Sequence, residues 1–150
     1  MRRSILLAGI TTGVLVLAGA VALTPARSAQ GRIKSHVNKI KDVAFCQKGY
    51  EIASSFPHYA ASRTPDMATR VALLRRSDQL EAQREHLGRM LRGVFKAEAL
   101  DLGLGSFEYD ALLAQLESQA EKDAAVSFQS TSKPSEFLAK LDDICQPYLS

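Results

Sequence analysis

The sequence predicts an all-α fold, a small bundle of four or five helices whose first and last members are joined by one disulfide. Three observations predict it. Apolar residues recur at helical spacing along most of the chain, no long strand-like alternation occurs, and the two cysteines, Cys46 and Cys145, follow a segment laid out as an export leader.

In that leader Arg2 and Arg3 form a short basic region, residues 5–23 carry no charge, and small residues with Pro25 follow. Cleavage after Ser28 places Ala26 and Ser28 at the two positions that must be small, and cleavage after Ala26 is the second choice. Residues 1–28 therefore read as an export signal peptide and residues 29–150 as a single helical domain. The alternative is an uncleaved anchor, because an uncharged helix of this length, rising about 1.5 Å per residue, approaches the roughly 30 Å of a bilayer core. Gly9, Gly13, Gly19, Thr11 and Thr12 dilute its apolarity. Either way the arginines stay in the cytoplasm and the remainder is translocated, to the periplasm or beyond, or held at the inner membrane facing the periplasm. Ala20 stands where a lipoprotein needs cysteine, and Arg2-Arg3 gives only a weak match to a twin-arginine signal.

Two cysteines in an exported chain allow a single pairing, which would close a loop of about 100 residues. On the chain-entropy view such a bond contributes roughly 4 to 5 kcal/mol, much of a small domain's stability. The charge balance also changes once the leader is set aside. Residues 29–96 hold 13 basic and 6 acidic side chains, and residues 97–150 hold 3 and 10, so the net charge is zero and its halves are opposite. The expected use of this asymmetry is neutralisation between packed helices; the alternative is a dipolar surface that selects a charged partner.

The first helix is expected over residues 31–56, stopped by Pro57. Ile33, Val37, Ile40 and Ala44 share a stripe, and Phe45, Ile52, Phe56, Cys46 and Ala53 widen it, so the second half of this helix should be central in the core. Thr64-Pro65-Asp66 then reads as a threonine N-cap, a proline at the first helical position and an acid in the first turn. Met67, Val71 and Leu74 form one stripe; Leu80, Leu87, Leu91 and Val94 form another nearly opposite. Residues 66–100 are thus either two helices broken near Ser77-Asp78, with Asp78 as cap and Glu81 completing it, or one long helix touching different partners at its ends.

Gly103 and Gly105 end this stretch at about Leu100, and Ser106 is expected to cap the next helix. There Tyr109, Leu113, Leu116, Ala120 and Ala124 form the cleanest amphipathic pattern in the chain, running to about Phe128. Pro134 opens a last helix in which Phe137, Leu138, Leu141, Ile144 and Cys145 share a face, turning Cys145 inward.

Chemistry is sparse. His36, His58 and His86 have no second ligand at metal-site spacing and read as surface polar residues. No haem attachment motif or other cofactor signature is present, so no cofactor is expected. Gly103-Leu104-Gly105-Ser106 follows a helix rather than a strand, which suits capping and not a nucleophile elbow. Arg75, Arg76, Arg84, Arg89, Arg92 and Lys96 make a basic middle section, interleaved with acids and short of aromatics, which argues against nucleic acid but leaves a possible protein-binding surface. Ile33, Lys34, Val37, Lys39, Ile40 and Lys41 form a basic amphipathic stretch suited to an anionic bilayer surface, so membrane contact is expected, if anywhere, within residues 1–41.

The expected function is therefore that of an exported, non-enzymatic helical protein that binds another macromolecule of the cell envelope, as an inhibitor, immunity factor, chaperone or accessory protein. Two alternatives stand beside it: a small enzyme or ligand carrier with a site assembled from scattered residues, and a membrane-tethered structural protein. A deep pocket lined by titratable groups would favour the former.

Overall fold

The computed structural model describes residues 26–150. The expected leader falls almost wholly outside the described residues. Among the described residues five α-helices follow one another: α1 (Ala26–Ser62), α2 (Met67–Arg92), α3 (Val94–Asp101), α4 (Ser106–Gln129) and α5 (Pro134–Leu149). Cross-helix contacts give their directions. Ser54 meets Ser77 near the α1–α2 turn and His36 meets Phe95 at the far end, so α1 and α2 are antiparallel. Tyr109 reaches back to Leu91, while Phe128 stacks on Phe56, so α4 runs parallel to α1. Helix α5 returns antiparallel to α1, with Phe137 against Phe128 and Cys145 on Cys46. The result is an up-and-down four-helix bundle with α3 as a short extension of α2.

Helix α1 is the axis. Ile40, Val43, Ala44, Cys46, Tyr50 and Ala53 are all buried, which spreads its apolar surface over several faces, as the second half of the sequence pattern implies. The helix does not stop at Pro57 but continues to Ser62, and this corrects the expected boundary. Proline removes one donor and crowds the carbonyls before it. Ser77 of α2 donates its hydroxyl to the Ser54 carbonyl at 2.9 Å, and beyond the proline Ala61 is buried, so packing outweighs the local defect. The same serine settles residues 66–100. It is not a break: α2 runs unbroken through Ser77 and Asp78, and the interruption comes instead at Gly93.

The start of α2 differs as well. Asp66, not Thr64, is the N-cap, its carboxylate accepting from the Thr69 amide at 2.8 Å. Thr64 donates instead to the Ala60 carbonyl at the end of α1, which puts Pro65 in the connection. At the far end Gly103 has φ +102° and the Leu104 amide donates to the Ala99 carbonyl, the left-handed helix stop that the glycine suggested. Gly105, not Ser106, occupies the next cap position; the Glu108 carboxylate accepts from its amide at 2.8 Å. Tyr109, Leu113, Ala120 and Ala124 are buried as expected, and so are Phe137, Leu141 and Cys145, whereas Val94 and Ile144 are exposed.

The first and last helices meet at one seam. Cys46 and Cys145 form the disulfide with a Cα–Cα distance of 5.7 Å. One turn on, Gly49 faces Leu141, whose methyls occupy the space a Cβ would need. Beside it the Tyr50 hydroxyl donates to Asp142 at 2.7 Å. Burial, then this carboxylate, push the Tyr50 hydroxyl far above its ordinary range. Tyr109 is also fully buried, donates to the Leu91 carbonyl, and is pushed up to about 12, chiefly by burial.

Two outcomes are expected. Gly49→Ala should destabilise the fold by about 1 to 3 kcal/mol through overpacking against Leu141, read from urea unfolding. Both tyrosines are neutral when folded and ionise more readily when unfolded, so their contribution is intact below about pH 10 and is lost as pH rises towards 12 and beyond. Urea midpoints at pH 8 and pH 11 should differ less in a Tyr50→Phe, Tyr109→Phe double variant than in the wild type.

Candidate functional site

The residues singled out by charge do not form one patch. Arg75 is exposed on the first half of α2, and Arg76 is half-buried with its guanidinium 3.5 Å from Gln79. Lys96 lies on α3 and donates to Asp110 of α4 at 2.9 Å. Arg84, Arg89 and Arg92 do come together, with Glu85, Gly88, Gly93 and Gln47 of α1, around an open groove of about 550 Å³.

Its arginines are not equivalent. Arg84 is clamped by Glu81, which also accepts from Ser54; these partners hold the Glu81 carboxyl below its usual range, Arg84 being the main cause. Arg92 bridges to both carboxylate oxygens of Glu117 on α4, at 3.0 and 3.1 Å. Arg89 is different. Its side chain is 70% exposed, and its nearest carboxylate, Glu85, is 3.9 Å away, beyond hydrogen-bonding distance. Much of the basic charge is therefore neutralised within α2 or across to α4, and Arg89 is left to face solvent.

The floor of the groove is Gln47, a residue the charge pattern gave no reason to notice. It is only 7% exposed, and its carboxamide oxygen has no hydrogen-bond partner. Leaving such an atom unpaired costs about 1 to 3 kcal/mol. Gly88 makes the position possible, since a Cβ there would stand 3.1 Å from the Gln47 amide nitrogen. The only sequence signals were a glutamine on a buried stripe of α1 and a glycine inside a helix, and neither is legible without the pairing of α1 with α2.

A second cavity, of about 360 Å³, is lined by Arg32, Ser35, His36, Lys39, Glu98, Asp101 and Leu102. His36 is not the surface residue its sequence context suggested. It is 6% exposed, its Nε2 donates to the Phe95 carbonyl at 2.8 Å, its Nδ1 lies 3.3 Å from Glu98, and its ring packs on Phe95. Both ring nitrogens therefore have partners, one on the α3 backbone and one on the Glu98 carboxylate. His58 and His86 are exposed, and among the described residues no group of three or more His, Cys, Asp or Glu side chains could hold a metal ion.

The basic amphipathic stretch is also redirected. Ile40 is fully buried and Ile33 and Val37 are half-buried in the first turns of α1, so the apolar side faces the bundle while Lys34, Lys39 and Lys41 point to solvent. No helix among the described residues is long and apolar enough to cross a membrane.

If Gln47 is kept for something other than stability, removing its polar atoms should help the fold. Gln47→Met is expected to stabilise the protein by about 1 kcal/mol in urea unfolding. A loss of stability would show that the carboxamide already has a partner. In comparison with known proteins the chain matches no family model, no curated protein and no solved structure.

Proposed function

We propose that this is an exported protein, periplasmic or secreted, that acts by binding a segment of another envelope protein in the groove floored by Gln47. The disulfide supports an oxidising compartment. The observation that carries the binding reading is the buried Gln47 carboxamide oxygen, which has no hydrogen-bond partner, in a residue that lines the groove with Gly88 and Arg89. A carboxamide offers one acceptor and two donors, the complement of a peptide group, and a half-turn of the amide exchanges which of them faces the groove. Arg84 and Arg92, tied to Glu81 and Glu117, serve as fixed walls, and Arg89 supplies a guanidinium free to take a carboxylate of the bound segment. Glu81, Glu85 and Glu117 balance the three arginines, which suits a peptide of mixed charge and disfavours a polyanion such as nucleic acid.

Site-specific photo-crosslinking in the producing cell tests this reading. A crosslinker in place of Arg89 should yield a discrete protein adduct, one in place of Lys122 on α4 should not, and Gln47→Leu should abolish the first. Equal adducts from both positions, or none from either, would refute the groove as the binding site.

A further inference from the structure

The first half of α2 presents an apolar stripe that the bundle does not use. Met67 is 66% exposed, Val71 39% and Leu74 37%, one above another at helical spacing. Sequence spacing groups these three as one of two opposite apolar stripes, and the core side of α2 is the other, which begins at Leu80 and continues through Leu87 and Leu91. At the same end of the α1–α2 pair, Tyr59 is 57% exposed with the Arg63 guanidinium stacked 4.6 Å above its ring. Arg70 and Arg75 flank the stripe on its two sides, because residues three and four apart in a helix share a face and these two fall on either edge of it. From residue 57 to 77 the chain carries Arg63, Arg70, Arg75 and Arg76 against one acid, Asp66, whose carboxylate is taken up in capping α2.

We propose that this face docks on an anionic phospholipid surface. Apolar side chains between long basic ones, with a tyrosine beside them, match the boundary between acyl chains and headgroups: Met67, Val71 and Leu74 enter the apolar layer while the exposed Arg63 and Arg75 extend to the phosphates, and Arg70, whose guanidinium donates to the Thr64 carbonyl at 2.8 and 3.1 Å, adds its charge at the edge of the stripe. The net positive charge of the segment is complementary to an anionic bilayer. A second copy of the chain is a poorer occupant, since a two-fold pairing would set the same arginines of each stripe against one another. The proposal does not depend on the groove, which opens at the other half of α2.

Co-sedimentation of the full exported protein with phospholipid vesicles provides the test. Binding is expected to phosphatidylglycerol–phosphatidylcholine vesicles, to fall steeply with added salt, and to be at least about tenfold weaker on pure phosphatidylcholine. Met67→Ser with Val71→Ser, and separately Arg63→Gln with Arg75→Gln, should each weaken binding by about tenfold, because each pair removes roughly 1 to 2 kcal/mol of transfer or charge attraction. All four positions are exposed, so circular dichroism and melting should be unchanged. Equal binding to both vesicle types, binding insensitive to both double variants, or a dimer in sedimentation equilibrium that Met67→Ser with Val71→Ser dissolves would each overturn the proposal.

Discussion

The close approach of α1 to α5 is the constraint on which the rest of the bundle depends. A disulfide requires its two Cα atoms within about 7 Å, and helices approach that closely only where side chains between them are small. Gly49 supplies that space one turn beyond Cys46, Leu141 fills it, and the half-buried Tyr50–Asp142 hydrogen bond fixes the rotation of one helix on the other. With α5 held there, Phe137 reaches Phe128, Phe128 reaches Phe56, and α4 is locked alongside α1. The bond spans 99 residues, so it ties the two ends of the bundle's order together and restricts the unfolded chain most where α1 and α5 would otherwise separate.

The architecture was largely legible in the residues. Helical periodicity identified the buried face of α4 almost position by position, Gly103 announced the end of α3, Pro134 the start of α5, and the cysteine count the seam. The misreadings share a cause, which is that a local signal was judged without its tertiary neighbour. Pro57 is a helix breaker in isolation, but Ser77 serves a carbonyl just before it and Ala61 is buried beyond it. Thr64 had the right chemistry for a cap, but its hydroxyl serves the end of α1 instead. Met67, Val71 and Leu74 satisfied the spacing of a core stripe, and spacing alone does not say whether a partner helix exists to cover it.

The candidate site was legible in half. The arginines that line the groove stood out by charge, although Arg75, Arg76 and Lys96 stood out equally and lie elsewhere. Charge marks a helix and not a place on the folded surface, because the neutralising acids Glu117 and Asp110 come from α4. Gln47 and Gly88 were silent, since one is an uncharged residue on a buried stripe and the other a small residue in a helix. Their meaning appears only when α1 and α2 are set side by side and a buried amide is found whose oxygen has no hydrogen-bond partner. The two halves of α2 thereby acquire different characters, an exposed apolar and basic face near the α1–α2 turn and a polar groove near Gly93.

The seam between α1 and α5 is covalent, a bond of the kind that persists in oxidising compartments. The most direct measurement is a peptide mass map of the purified protein, alkylated without reductant before digestion. The expected result is a linked pair of peptides containing Cys46 and Cys145, with no alkylated cysteine until reductant is added. Two alkylated cysteines in the folded, unreduced protein would contradict the seam between α1 and α5 and, with it, the exported setting in which the groove is proposed to work.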